Sequence, residues 1–426
     1  MTETIRTRGE HLGVRHASHA TDGGDLSRTT RWCQHVSVAE SSQQSSPNKG
    51  LVPYLLRDLR LLTSGLLLSG FVISATWRVV TASRSDDPWN TGDWLIDYSS
   101  GFVRRGLFGS LIGIISWSPA SATTMVVGTQ LALILFVTTF VIANVMRAPA
   151  SMAMVAVALS PSFLLFGVMD PGGSFRKEWL GLVALTALLI AVEPTIGKRV
   201  RRLTILTCCL VFVLASFSHE ANVLLLPALL LVLHRADLTR GEQLWTTFAL
   251  VTSAVVAGLT AVFFAGSPEV AGAQCESLVF RGFEPTICAG AIEWLGRTQG
   301  SILYEGEYLF VSALPLLLPL AAFSCAPLAL FKWTRSQALG LLIVGATIAI
   351  PLSVVSLDHG RWLRFAIAAC TLLALPSIRR NEVLRLDIPG VLVLVLAFSW
   401  RFTQVPTLEQ LPALNQWIQT VSDILG

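Results

Sequence analysis

Charge is scarce in this chain. Only 14% of its 426 residues are Asp, Glu, Lys or Arg, against about a quarter in ordinary soluble proteins. Hydrophobic residues make up 53%, and the mean hydropathy is +0.62. Long runs without any charged residue recur along the chain, at residues 61–77, 122–146, 148–169, 245–268, 308–331 and 337–357. Most approach the roughly 18–20 residues that cross about 30 Å of hydrocarbon as a helix.

Alternation of polar and apolar residues, the pattern of membrane strands, is absent as well. Lipid satisfies no backbone polar groups, so only helices and closed barrels cross a bilayer. We therefore predict an all-α polytopic membrane protein. Its first partner is the lipid bilayer, and its predicted location is the cytoplasmic (plasma) membrane.

The first fifty residues contain no apolar segment, which argues against a cleavable signal peptide. Their Ser, His and Gly content is typical of disorder, and we predict a disordered cytoplasmic tail over residues 1–54. No phosphate-binding glycine loop is visible, which argues against direct use of ATP or nucleotide sugars. The net charge of +4 fits loops that face anionic lipid, and no nucleic-acid partner is expected.

Basic residues cluster between the apolar runs, and such clusters mark the cytoplasmic side. They lie at residues 197–202, 234–235, 332–335 and 379–385. All of them share one side only if residues 104–118 do not cross the membrane. We therefore predict eleven transmembrane helices over residues 55–403, with the N-terminus inside. Residues 104–118 then form a surface-lying helix after the first outer loop, and residues 404–426 an outer amphipathic tail. A true crossing at residues 106–119, which gives twelve helices, is the alternative.

With this orientation the polar motifs face outward. The predicted outer loops cover residues 81–121, 169–178, 269–307 and 357–362. A further outer apex holds His219 and Glu220 between two apolar arms, residues 203–218 and 221–233. Both arms are too short for a full crossing, so the apex is expected below the outer surface. Ionisable residues at membrane depth are usually functional, and we predict an outer cavity that contains carboxylates and guanidiniums.

This arrangement resembles the GT-C class of integral-membrane glycosyltransferases, which use polyprenyl-phosphate-linked sugars. In that class the first extracytoplasmic loop carries a catalytic or metal-binding carboxylate, and membrane-lying helices follow it. Here the first outer loop contains four aspartates, Asp86, Asp87, Asp93 and Asp97, and the surface-lying segment follows. The resemblance is architectural and covers most of residues 55–403. We expect no large soluble C-terminal domain of the kind that other members of the class carry.

The resemblance implies transfer of a sugar from a polyprenyl-phosphate donor to a glycan, lipid or protein acceptor, as in the synthesis of cell-envelope polysaccharide. Such transfer needs a base for the acceptor hydroxyl. Asp97 is the first choice for this base. Glu220 and Asp358 are substitutes, and His219 could shuttle a proton. No cofactor is certain, although the outer-loop carboxylates could bind a divalent metal.

The leaving phosphate needs positive charge beside it. Arg104 and Arg105 are predicted to bind it bidentately. The rest of the predicted substrate-binding set comprises Asp170, Arg176, Lys177, His359 and Arg361. Structural alternatives stay open, since the arginine pair could anchor a helix end and Asp358 could form an i,i+3 ion pair with Arg361.

Other functions share these features. A polysaccharide polymerase or ligase would also act outside on lipid-linked glycans. A transporter or flippase of lipid-linked substrates would also hold charges in a cavity. Transporters usually show repeated halves with interrupted helices in both, and no such repeat is visible here.

Two cysteines share the long outer loop. Cys275 and Cys288 are thirteen residues apart, in a compartment that is oxidising if the predicted topology holds. We predict a disulfide between them.

Overall fold

A computed structural model gives the structure of the protein. It describes residues 51–84, 87–264, 266–297, 321–322, 324–355, 358–379 and residue 395. The predicted tail therefore lies outside the described residues, except for its last four, which are helical. The predicted outer tail at residues 404–426 lies outside them altogether.

The described residues fold almost entirely into helices, which confirms the predicted all-α class. In chain order they are α1 (Leu51–Arg84), α2 (Gly92–Leu95), α3 (Gly106–Ile115), α4 (Pro119–Arg147), α5 (Met152–Ala158), α6 (Phe166–Met169), α7 (Glu178–Ala191), α8 (Lys198–Ser218), α9 (Leu226–His234), α10 (Arg240–Phe263), α11 (Pro268–Phe280), α12 (Arg335–Val355) and α13 (His359–Ile378). Short 3₁₀ helices lie at Pro171–Gly173, Glu220–Leu225, Pro285–Cys288 and Glu293–Gly296.

Six of these helices are long and apolar enough to cross a membrane: α1, α4, α8, α10, α12 and α13. They also carry many of the large apolar side chains that no other part of the protein covers, such as Leu62, Leu210, Phe263 and Leu342. A multi-pass membrane protein exposes such residues to lipid. The predicted number of eleven crossings stays a prediction, because two of them fall largely outside the described residues.

Contacts between helix ends define two ends of the molecule. At the basic end, Arg60 of α1 donates a hydrogen bond to the carbonyl of Met146 near the end of α4. At the other end, which we call the loop end, Arg78 of α1 donates to the carbonyl of Asn90 in the following loop. Helix α7 starts at the loop end. Beyond its other terminus, Glu193 binds Arg379, which lies just after the end of α13. Successive long segments thus run in alternating directions, as a multi-pass chain requires.

Helix α3 is a separate, short element. Its ten residues rise only about 15 Å, half of the hydrocarbon thickness. The chain then restarts at Ser118, whose side chain accepts from the Ser121 amide in a capping box, with Pro119 in the first turn. Within the charge-free stretch of residues 106–146, α4 is the helix long enough to cross a membrane. The surface-lying position of α3 stays a prediction.

The charge-free run at residues 148–169 is not one helix, which corrects the prediction of a continuous transmembrane helix there. Helix α5 ends before Pro161, which lacks an amide hydrogen and disfavours helix in the residue before it. The segment still runs alongside α1, because Val155 lines a small cleft together with Arg60 and Gly167 lies against Ser74. Residues 160–163 are buried in protein, which makes irregular backbone tolerable at membrane depth.

Two predicted boundaries also shift. Helix α1 continues to Arg84, so the first loop begins later than residue 81. The arm before His219 is the 21-residue α8, longer than the predicted residues 203–218, because its basic first turn is helical too. The other arm begins as a 3₁₀ helix at Glu220 before α9 continues it. The break at His219 lies where the sequence predicted it.

Helix α7 is the centre of the described fold. Thirteen of its fourteen residues are buried, and it packs along α8, α4, α9 and α13. A helix that is apolar on all sides belongs in a protein interior. Its first residue, Glu178, follows Arg176 and Lys177 directly, so α7 places three charged side chains deep in the loop end.

Candidate functional site

Ionisable side chains from four distant segments meet around the start of α7. We call this group the charge cluster: Asp93, Arg105, Lys177, Glu178, His219, Glu220 and Arg361. Asp93 comes from the first loop, His219 and Glu220 from the apex after α8, and Arg361 from the first turn of α13. The predicted convergence of outer motifs is therefore present for these segments.

Arg105 and Glu220 form the most extensive ion pair of the cluster. The guanidinium donates from Nε to Oε2 over 2.8 Å and from Nη2 to Oε1 over 2.5 Å. Arg104 adds Nη1 at 3.7 Å from the same carboxylate. Both arginines are thus directed at Glu220, although the sequence suggested that they would hold a phosphate. Arg105 also has a left-handed backbone, with φ of 72°, a conformation that is uncommon outside glycine and often marks functional sites.

Lys177 is fully buried and lies between Arg105 and Asp93. Its Nζ donates to the Arg105 carbonyl over 2.9 Å and lies 3.9 Å from a carboxylate oxygen of Asp93. Burial lowers the pKa of Lys177 to about 8, although Asp93 opposes this shift. Burial by itself would raise the pKa of Asp93, but Lys177 and the nearby positive charges lower it to about 2. At neutral pH Asp93 is therefore ionised and Lys177 predominantly protonated.

His219 is held as a neutral imidazole. Its Nδ1 accepts a hydrogen bond from the Ala221 amide over 3.2 Å, so we assign the proton to Nε2, which lies 3.6 Å from Glu178. Burial, followed by the positive charge of Arg105, lowers the pKa of His219 to about 4. Arg361 binds Glu178 directly and lies 3.3 Å from the same Nε2. His219 thus lies against both members of the Glu178–Arg361 ion pair and helps to position them.

Two guanidiniums beside the cluster have no carboxylate partner among the described residues. Arg176 is 2% exposed, donates to the Trp89 carbonyl over 2.5 Å and lies 5.2 Å from the centre of the Trp89 ring. Arg364 is buried and lies 3.8 Å from the centre of the Phe166 ring. Its Nη1 has no hydrogen-bond partner within the described part of the chain. A buried cation without an anion is costly, so the site is suited to a negatively charged ligand.

Asp97, the first-choice base, lies apart from the cluster. Its carboxylate is 4% exposed and accepts from Arg281 and Gln274 of the α11 segment, each over 3.2 Å. The Ser99 hydroxyl donates to it as well. These contacts attach the end of the first loop to α11. The structure does not bring Asp97 together with His219 or Glu220.

The remaining predicted residues take local positions. Asp358 binds Arg361 over 3.1 Å as an i,i+3 pair, and His359 is buried at the start of α13. Asp170 accepts from the Gly173 amide in the turn before α7. Asp87 accepts from the amides of Trp89 and Asn90, and Asp86 lies outside the described residues.

Cys275 and Cys288 form a disulfide that links α11 to the following 3₁₀ helix, with their Cα atoms 5.5 Å apart. The segment that it closes packs on the first loop through glycines. A Cβ on Gly92 would lie 2.8 Å from the Ile287 carbonyl, and one on Gly290 3.1 Å from Pro88. Only glycine permits such close backbone contact.

Glycines also explain how α3 lies against the loop that precedes it. A Cβ on Gly106 would lie 2.3 Å from the Tyr98 ring, and one on Gly109 would lie 2.0 Å from the Ile96 carbonyl. These two glycines therefore let α3 pack closely against the preceding loop. The same packing sets the direction of the backbone at Arg104 and Arg105, which directly precede α3.

Metal binding stays a prediction. Within the described ranges no three His, Cys, Asp or Glu side chains are grouped as metal ligands. Each acid of the charge cluster instead lies within 4 Å of a Lys or Arg nitrogen.

Three functional candidates escaped the sequence analysis: Asp93, Glu178 and Arg364. Signals for them were present. Asp93 is one of four aspartates in the first loop, Glu178 follows Arg176 and Lys177 directly, and Arg364 lies one helical turn after Arg361. The sequence did not show that Asp93 and Asp97 have different partners in the folded protein.

The chain matches a known family of membrane proteins. The model of the family described as "Uncharacterised membrane protein Rv1490" matches residues 64–293, more than half of the 426 residues. The matched part includes every member of the charge cluster except Arg361. No curated protein and no solved structure matches the chain.

Proposed function

This chain belongs to the Rv1490 family of membrane proteins, and we propose that it is a membrane-embedded glycosyltransferase. In this proposal it transfers a sugar from a polyprenyl-phosphate donor to a glycan, lipid or protein acceptor. The reaction takes place at the loop end, on the outer side of the cytoplasmic membrane.

One observation carries the proposal: an ionised, buried carboxylate belongs to the charge cluster, and two buried guanidiniums beside the cluster have no carboxylate partner among the described residues. Asp93 supplies the carboxylate, and Arg176 and Arg364 supply the positive charge. In glycosyl transfer, the bond between the anomeric carbon and the phosphate oxygen breaks while a bond to the acceptor oxygen forms. The base takes the acceptor's proton, and the lipid phosphate leaves with its negative charge. The site offers one group for each need.

Asp93 fits the base better than the other acids do. Guanidiniums bind Glu220, Glu178 and Asp97 at hydrogen-bond distance. Both carboxylate oxygens of Asp93 lack a hydrogen-bond donor in the described part of the protein, and Lys177 lies 3.9 Å away. An acceptor hydroxyl can therefore donate to Asp93 without displacing another partner. The position also agrees with the GT-C resemblance, which expects a carboxylate in the first outer loop.

The cations divide into two groups. Arg104 and Arg105 are held by Glu220, so they position the apex after α8. Arg176 and Arg364 have backbone or aromatic partners instead of carboxylates. Phosphate bound to this second group gains charge-assisted hydrogen bonds and relieves the cost of their burial. In the proposed enzyme, this group binds the lipid phosphate.

Transport of a lipid-linked substrate is the second candidate, and the broken crossing favours it. The irregular backbone after α5 leads, through α6, directly to Arg176. Transporters commonly build binding sites from interrupted helices. A transporter moves the donor lipid across the bilayer without consuming it. An assay of sugar transfer therefore distinguishes the two functions, because only a transferase consumes the donor.

The test uses the purified full chain in proteoliposomes with a panel of polyprenyl-phosphate hexoses and pentoses. Acceptors are offered both as free oligosaccharides and as lipid-linked glycans, since a polymerase or ligase uses the latter. Formation of free polyprenyl phosphate and of extended acceptor is measured. Asp93→Asn should lower the rate by about 10²-fold or more, the usual loss of a general base. Asp97→Asn, the matched control in the same loop, should lower it far less.

Unfolding temperatures of both variants separate chemistry from folding. Near-normal transfer by Asp93→Asn at unchanged stability removes Asp93 as the base. If the wild type consumes no donor in the panel but moves it between leaflets, the transport function replaces the proposed one. Arg364→Gln should raise the KM for the donor more than it lowers kcat, because it removes a phosphate contact.

A further inference from the structure

Two tryptophans from distant parts of the chain meet beside Arg176. The rings of Trp89, in the first loop, and Trp294, in the 3₁₀ helix after the disulfide, have centres 6.2 Å apart and planes tilted by 56°. We call them the tryptophan platform. Trp89 is 37% exposed, and Trp294 is half-buried. Each ring has a guanidinium beside it, Arg176 at 5.2 Å and Arg297 at 4.0 Å.

The backbone around both rings is firmly held. Asp87 accepts from the amide of Trp89, whose carbonyl accepts from Arg176. The Trp294 amide donates to the Gly290 carbonyl over 3.0 Å. Gly290 has φ of 143° and packs against Pro88, next to Trp89. The Cys275–Cys288 disulfide closes the segment just before Gly290. The platform therefore exists before any ligand binds, which lowers the cost of binding.

Arg176 connects the platform to the charge cluster. Arg176 is buried, donates to the Trp89 carbonyl and lies 5.2 Å from the centre of the Trp89 ring, and it directly precedes Lys177 of the cluster.

A cleft lies beside Arg297, the residue whose guanidinium is 4.0 Å from the centre of the Trp294 ring; the rings of Trp89 and Trp294 are not among its walls. It has a volume of about 560 Å³, and α11 and the two 3₁₀ helices that follow it line it. Its walls include Pro268, Pro285 and Ile292, while Glu293 and Arg297 contribute charged groups. Apolar walls with a few polar groups are typical of small-molecule sites.

We infer that the platform and cleft bind a carbohydrate chain. Sugars combine C–H faces that pack on indole rings with hydroxyl groups that bond to carboxylates and guanidiniums, and both kinds of partner are present here. The inference deepens the proposed function, since the chain bound there is the acceptor glycan. Binding itself does not depend on transfer.

The test measures binding of neutral hexose and pentose oligosaccharides to the purified full chain by saturation-transfer NMR, without any donor lipid. Trp294→Ala should weaken binding about tenfold, the scale of one lost aromatic contact. Trp294→Phe should keep most of the affinity. Trp117→Ala is the matched control, because Trp117 is 84% exposed and lies outside the platform. Unfolding temperatures verify that all three variants fold.

The two proposals fail separately. Binding that Trp294→Ala reduces and Trp117→Ala does not supports the platform, even if the transfer assay is negative. If no oligosaccharide in the panel binds, or if the two alanine variants bind equally, the platform is wrong, whatever the transfer assay shows.

Discussion

Arg105 binds Glu220 through two parallel hydrogen bonds, although 115 positions separate the two residues in the sequence. The pair joins the first loop to the apex between α8 and the following 3₁₀ helix. The pair positions the Arg105 carbonyl so that it accepts a hydrogen bond from Lys177. It also holds the apex, with His219, beside Glu178. The ion pair therefore organises the charge cluster from both sides.

Removing the charge of Glu220 should destabilise the protein. Glu220→Gln leaves Arg104 and Arg105 partly buried without a carboxylate, a loss of about 3 kcal/mol by comparison with other broken buried pairs. Thermal unfolding in detergent measures it. The matched control is Glu242→Gln, whose partner Arg202 is 72% exposed, and its effect should stay below about 1 kcal/mol. Equal shifts in the two variants would show that the Arg105–Glu220 pair is not structural.

Acid should destabilise the protein through His219. The unfolded chain protonates this residue near pH 6.5, but the folded protein does so only near pH 4. Between these values the unfolded state binds more protons, so the free energy of unfolding falls as the pH is lowered from 6.5 to 4. The contribution is about 3 kcal/mol over this window.

The variant His219→Gln tests this pH dependence. It cannot gain a proton at that position, so its unfolding temperature should fall less steeply than that of the wild type between pH 6.5 and 4. The exposed His234 supplies the control, because His234→Gln should follow the wild-type curve. Parallel curves for wild type and His219→Gln would contradict the neutral, buried imidazole.

The disulfide predicts a thiol count. The chain has seven cysteines, and Cys275 and Cys288 are joined. Denatured, unreduced protein should therefore take up five alkylating groups (seven minus two), and reduced protein seven, as mass spectrometry would show. Seven groups without reductant would mean that the bond does not form. Replacing both cysteines with serine should cost about 3 kcal/mol, the expected loss for a loop of this length.

Labelling from one side of the membrane tests the position of α3. Single cysteines at Ser99 and Ala120, both exposed and on either side of α3, should react with an impermeant thiol reagent from the outside. The native cysteines other than Cys275 and Cys288 are replaced in the protein used for labelling, so that the introduced cysteine is the one that reacts. The control is Gly241→Cys at the start of α10, where a side chain has open space, and it should react only from the cytoplasm. Reaction of Ala120→Cys from the cytoplasm alone would establish a crossing at α3 and favour twelve helices.

Much of the fold follows from the sequence. The long charge-free runs predict crossings such as α4 and α10, because lipid imposes a length and a composition that are visible in one dimension. The capping box at Ser118 and the interruption at His219 are local signals too. Pro161 is a local signal of the same kind, since proline interrupts helices, and the structure breaks the run of residues 148–169 there.

The basic clusters and the predicted parity of the crossings led us to expect charged motifs at one end of the membrane domain. Which of these charges are already paired became visible only in the folded structure. Asp93 and Asp97 lie four positions apart in one loop, yet Arg281 and Gln274 bind Asp97, whereas Asp93 lies 3.9 Å from Lys177 and its two buried oxygens have no hydrogen-bond donor among the described residues. Likewise Arg105 is held by Glu220, whereas Arg176 and Arg364 are not held by any carboxylate in the described residues. Ion pairing depends on distances of a few ångströms between segments far apart in the chain, and local sequence does not encode such distances.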